Sequence, residues 1–97
     1  MPTSQSTLEY ILDQLSFLPN VTTRKMFGEY SLYNHGNYFA MVCDSKLFFK
    51  TTANLVNLIG DDGLRAYEGS KNSLHIPDVI IEDKDKLKEI TNQYLLG

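Results

Sequence analysis

Apolar residues recur along this chain at two different spacings, and the change of spacing divides it into elements. Leu8, Ile11, Leu12, Leu15 and Leu18 fall at three- and four-residue steps, which predicts an amphipathic helix from about Ser6 to Leu18. Ser6 with Glu9 three residues on reads as a capping box, and Pro19-Asn20 stops the helix. From Val21 the pattern becomes extended. Val21 to Phe27 is rich in β-branched and apolar residues, Gly28 permits a bend or bulge, and Glu29 to Tyr33 resumes the strand. Asn34-His35-Gly36-Asn37 is a turn by composition, Tyr38 to Cys43 a strand, Asp44-Ser45 a tight turn and Lys46 to Thr51 another strand.

The remainder returns to mixed elements. Thr52 caps a short helix, Ala53 to Ile59, which Gly60 ends. Leu64 to Glu68 and Ser73 to Ile76 flank Gly69-Ser70-Lys71-Asn72 as a second hairpin, closed by Pro77. A last helix runs from about Lys84 to Leu95, capped by Asp83, with Leu87, Ile90, Tyr94 and Leu95 inward. The expected order is α-β-β-β-β-α-β-β-α, an α+β fold with an antiparallel sheet of five to six strands and three helices. No repeat, low-complexity tract or linker interrupts it, so residues 1–97 form one domain.

Two strands carry apolar residues on both faces. In Tyr38–Cys43, Tyr38, Ala40 and Val42 alternate with Phe39, Met41 and Cys43. In Lys46–Thr51, Phe48 lies between Lys46 and Lys50, opposite Leu47 and Phe49. A sheet with one wet face alternates more cleanly. Either a loop covers the second face, or that face is a protein–protein interface of the homodimer type. Tyr33, Tyr38 and Phe48 are the candidate contacts for self-association.

Composition narrows the function classes. The chain is 42% hydrophobic and 22% charged, ordinary for a folded domain, and it contains no apolar run long enough for a membrane helix. The first six residues lack the features of a signal peptide, and the single Cys43 cannot pair internally, so cytoplasmic residence is expected. Net charge is −3, with the whole excess in residues 61–97. Arg24-Lys25 is the one basic pair before that region, which disfavours autonomous nucleic-acid binding through the aromatics beside it.

Candidate chemistry is sparse. One Cys and two His, His35 and His75, lack the spacing of a zinc site, and Cys43 has no base beside it in sequence. Asp61-Asp62 and Asp83-Asp85 flank helix termini and read as solvated loop and helix-end charge. Gly28 and Gly36 are isolated, unlike a phosphate loop. The residues predict no enzyme, no metal and no cofactor.

The stretch Arg24-Lys25-Met26-Phe27-Gly28-Glu29-Tyr30-Ser31-Leu32-Tyr33 carries a resemblance. It is similar to the hallmark segment of the amino-terminal domain of the TfoX/Sxy family of competence regulators, where a basic pair leads into Met-Phe-Gly and an aromatic strand. Met26, Phe27, Gly28 and Tyr30 are its motif positions. The likeness continues through Gly36, Tyr38-Phe39-Ala40-Met41-Val42 and Lys46-Leu47-Phe48-Phe49-Lys50 to Ile76-Pro77 and Leu87. The family commonly has glycines where Glu29 and Ser31 stand. Its full-length regulators also carry a second, helical domain, so a chain ending at Gly97 is expected to be a stand-alone first domain. The resemblance implies a non-enzymatic regulatory module acting through protein contacts on DNA-uptake genes, with the cyclic-AMP receptor protein or other transcription machinery as partner. Arg24 and Lys25, with the aromatic strand beside them, are the implied contacts. The alternative is a stand-alone dimeric adaptor or chaperone-like binding domain without a transcriptional role.

Overall fold

Ser4, two residues earlier than the expected cap, opens the first helix. A computed structural model describes residues 3–67, 69–70 and 72–96. In it α1 spans Gln5–Gln14, and the Ser4 hydroxyl accepts from the Thr7 N–H at 3.2 Å. Ser6 therefore lies inside the first turn and cannot act as a cap, and the Ser6–Glu9 capping box does not form. Leu8 and Ile11 bury the inner face. Beyond Gln14 the chain tightens into turns, with Leu15 still buried and the Leu18 N–H bonded to the Leu15 carbonyl.

Five strands follow in antiparallel order β1-β2-β3-β4-β5 among the described residues: β1 Val21–Met26, β2 Glu29–Asn34, β3 Asn37–Cys43, β4 Lys46–Lys50 and β5 Ser73–Ile76. The first four form a meander through two-residue turns at Phe27-Gly28, His35-Gly36 and Asp44-Ser45. All six turn residues have positive φ, the backbone hand that matches strand twist in tight hairpins. Gly28, at φ +79°, sits in the left-handed region that its lack of a Cβ favours.

A β-bulge between Leu32 and Tyr33 corrects the expected faces of β3. It inserts one extra residue, so Phe39 and Ala40 both enter the core while Tyr38 pairs with Tyr33. The helix-facing side is then continuous: Leu32, Ala40, Val42, Leu47, Phe49, Leu74 and Ile76 pack against residues of the helices.

The second half differs from expectation in two places. Helix α2 spans Ala53–Ile59, capped by Thr52 as expected. Leu64 to Tyr67, however, is loop rather than strand, and Glu68 and Lys71 lie outside the described residues. The Asp61 and Asp62 side chains turn this segment by accepting from the Gly63 and Leu64 N–H groups. β5 consequently pairs with β4, not with a hairpin partner. A short helix α3, Asp78–Glu82, also forms after Pro77, because Ile80 and Ile81 have a core to meet. Helix α4, Lys84–Leu96, follows, with Asp83 capping it through the Lys86 N–H at 3.1 Å. The described elements run α-β-β-β-β-α-β-α-α, and the α+β class with an antiparallel sheet stands.

Helix α4 is locked to the sheet through Tyr94. Its ring stacks on Phe49 at 5.0 Å between centroids, and its hydroxyl lies within donor reach of the Lys50 carbonyl at 2.7 Å and the Phe39 carbonyl at 3.1 Å. On the opposite side of the sheet, Ala66 of the 60–72 loop packs on Cys43 and Phe48. The loop covers this part of the second face.

Candidate functional site

Where the loop stops, the outer face stays open, at the end formed by the β1–β2 hairpin. Met26 pairs with Glu29 to close the hairpin on Phe27-Gly28. Phe27 is 99% exposed and holds φ +52°. A bulky L-residue gains nothing by burial there and strains the backbone. His35, Asp44 and Ser45 share this backbone hand in the other two turns, so what sets Phe27 apart is a large aromatic ring left in the open.

Beside it lies an apolar groove of about 440 Å³. Met26, Phe27 and Tyr30 form the hairpin wall, Met41 and Cys43 lie on β3, and Tyr67 reaches in from the loop. Met26 and Tyr67 are themselves exposed. Apolar side chains around a partly open concavity form a surface suited to another protein.

Glu29 holds this end of the molecule together. Its Oε1 accepts from the Thr3 N–H at 2.9 Å and the Thr3 hydroxyl at 2.7 Å, while Oε2 accepts from the Asp44 N–H at 2.8 Å. Burial alone would raise its pKa, but hydrogen bonds from Cys43, Thr3 and Asp44 outweigh it and hold the carboxyl below its ordinary range. Thr3 Oγ1 in turn accepts from the Ser45 N–H at 3.1 Å. The segment before α1, the start of β2 and the β3–β4 turn are thus tied at one carboxylate.

Burial and the same carboxylate together set the state of the thiol. Cys43 Sγ lies 3.0 Å from Glu29 Oε2 and 3.0 Å from the Ala66 carbonyl, and its one proton serves either acceptor. Burial first, then the hydrogen bond and negative charge of Glu29, push the thiol up to about 12. A nucleophilic cysteine needs the opposite environment. Here Cys43 is a donor.

The sequence-predicted residues divide into three groups. Arg24 and Lys25 lie on β1, both exposed, with consecutive side chains on opposite faces of the sheet. The Lys25 ammonium sits 6.0 Å from the Tyr30 ring centroid. These two, with Met26, Phe27, Gly28 and Tyr30, gather at the hairpin. Tyr33 and Tyr38 face each other across β2 and β3, with ring centroids 5.9 Å apart, edge to face. Phe48 is 2% exposed, tucked beneath the loop with His75 at 5.5 Å, so its side chain offers no contact area while the loop is in place.

Glu29, Thr3, Met41 and Tyr67 join the site beyond the residues expected from the sequence. The departure from the family pattern at Glu29 was the available sign. His75, which lacks an acid beside it in sequence, meets Asp62 across the fold, Nδ1 to Oδ2 at 2.7 Å, and so fastens the loop to the sheet. Asp61 pairs instead with Arg65 at 2.8 Å. Among the described residues no three or more His, Cys, Asp or Glu gather as a metal site, and no helix is long and apolar enough to cross a membrane.

The TfoX N-terminal domain family matches the chain over residues 13–95. The chain belongs to this family. No curated protein matches it. Membership places it among competence-related regulatory domains. The match begins within α1 and runs through all five strands to the last turn of α4. Within this TfoX N-terminal fold, Met-Phe-Gly is the hairpin apex: Met26 ends β1, Phe27 projects, and Gly28 completes the turn. Glu29, where the family commonly has glycine, supplies the clamp onto Thr3 and Asp44.

Proposed function

We propose that this protein is a non-enzymatic cytoplasmic regulator of DNA-uptake genes that works by occupying a protein partner. The observation that carries the reading is Phe27. A fully exposed aromatic in a left-handed turn, at the mouth of an apolar groove, is costly for the fold alone and useful for contact. The groove's thiol supports a non-catalytic role, since burial, and after it Glu29, hold Cys43 protonated. Family membership supports the choice of process, and the partner the resemblance implies is transcription machinery such as the cyclic-AMP receptor protein. Net charge of −3 speaks for a protein partner over a nucleic-acid backbone.

The test is retention of purified cyclic-AMP receptor protein and RNA polymerase on the immobilised protein, alongside competence-gene transcript levels in a host that has both. Retention with altered transcription supports the reading. Neither retention nor a transcriptional effect contradicts it.

A self-associating adaptor is the second reading, favoured by the Tyr33–Tyr38 pair, in which Tyr38 keeps 37% of its surface exposed. It expects a concentration-dependent dimer in sedimentation, weakened by Tyr38→Asp, and no transcriptional partner.

A further inference from the structure

The sheet ends at β1, and among the described residues nothing pairs with its outer side. The register shows which backbone groups are left over. In a two-residue hairpin the closing pair, Met26 and Glu29, is hydrogen-bonded, and bonded pairs alternate with unbonded ones. Arg24 and Thr22 therefore turn their N–H and C=O groups toward β2, and the His35 N–H to Asn20 carbonyl bond at 3.2 Å continues the same phase. Val21, Thr23 and Lys25 turn theirs outward. Thr23 and Lys25 are exposed, so their donors and acceptors face open space.

We propose that this edge takes an extended, acidic segment of the partner protein as an added strand, which specifies how the protein-contact reading above is carried out. Three features select that occupant. The outward amides and carbonyls of Thr23 and Lys25 are the hydrogen-bond set an added strand uses. Among the described residues Arg24 and Lys25 have no carboxylate partner, and they project from opposite faces, so adjacent acids on the added strand meet one cation each. Arg24 and Met26 share the face on which the groove opens, so an aromatic or branched aliphatic side chain opposite Met26 lies at its mouth, beside Phe27.

The charges argue against a second copy of this chain in the same place. Two β1 strands paired antiparallel would bring two Arg24 and two Lys25 side chains into one narrow strip, and like charges across a sheet are destabilising. The same cations guard a free edge against aggregation while leaving it open to an acidic strand.

The probe is a fluorescein-labelled peptide, Thr-Val-Glu-Glu-Phe-Thr, with its reversed sequence, a form with lysines for both glutamates, and one N-methylated at alternate amides. One of the two acidic peptides is expected to bind, with amide shifts in NMR centred on Thr23 and Lys25. The lysine and N-methylated forms, and the variants Arg24→Gln with Lys25→Gln, are expected to weaken binding on the order of tenfold or more. Thr23→Pro removes one outward N–H without touching the β2 ladder, and with an unchanged melting temperature it is expected to weaken binding likewise. Overturning results are no binding of either acidic peptide, equal binding of the lysine form, shifts centred on another surface, or a β1-linked homodimer abolished by Thr23→Pro. Undiminished capture of purified transcription partners by Thr23→Pro removes the edge and keeps the regulatory reading. Peptide binding at β1 with no transcriptional partner keeps the edge and removes that reading.

Discussion

Cys43 Sγ and the Asp44 N–H share one oxygen of Glu29, at 3.0 Å and 2.8 Å, while the other oxygen receives the N–H and hydroxyl of Thr3. Replacing Glu29 with Ala leaves the Thr3 and Asp44 N–H groups without this acceptor, while Cys43 keeps the Ala66 carbonyl, and the expected loss of stability is about 1–3 kcal/mol in urea unfolding. Glu29→Gln retains the shape but loses the charge, so it should lie between Ala and wild type.

Acid should act through the same carboxylate. Glu29 and Asp62 both have folded pKa values below their ordinary range. For each, burial opposes the shift, and hydrogen bonds outweigh it: Cys43, Thr3 and Asp44 at Glu29, His75 and the Leu64 N–H at Asp62. A depressed folded pKa gives stability that is present above the unfolded value, about 4, and lost as pH falls through the folded one. Stability measured from pH 6 to 2 should fall through that window, and Glu29→Gln should flatten the slope. An unchanged slope counts against the clamp.

Alkali should act on Cys43 with the opposite sign. Its folded pKa is raised to about 12, so its contribution is complete below the unfolded thiol value. That contribution is lost as pH rises from about 8.5 through the folded value. A disulfide reagent at pH 8 should label the native thiol on the order of a hundred times more slowly than the unfolded one. Rapid native labelling would show an open thiol and count against the non-catalytic reading.

The hairpin apex allows stability and contact to be separated. Phe27→Asn suits the left-handed position better than phenylalanine, and it loses little buried area because Phe27 is 99% exposed. It should stabilise the fold by a few tenths to about 1 kcal/mol while weakening partner capture. Gly28→Ala, at φ +79°, should instead cost about 1 kcal/mol. Phe48→Ala, beneath the loop, should cost about 3–5 kcal/mol.

The meander was legible because its determinants are local. Strand periods, Gly28, Gly36 and Asp44-Ser45 each act within a few residues of one another. The bulge was not, because it depends on how β3 aligns with β2, and it moves Phe39 inward and Tyr38 to Tyr33. Leu64 to Tyr67 has a strand's composition, but the Asp61 and Asp62 turns and the seat of Ala66 on Phe48 prevail. The motif residues at the hairpin were visible in order. The Glu29 clamp was not, since it gathers residues 3, 29, 43 and 44 from separate elements.

Regulation by contact through the hairpin is put to the test by competence-gene transcription in a host carrying wild type or Phe27→Asn. The two should be compared at equal abundance, with retention of purified partners measured in parallel. Transcription and retention should both fall on the order of tenfold in the variant, whose melting temperature is equal or higher. Unchanged transcription and retention, with the fold intact, would rule out regulation through the hairpin.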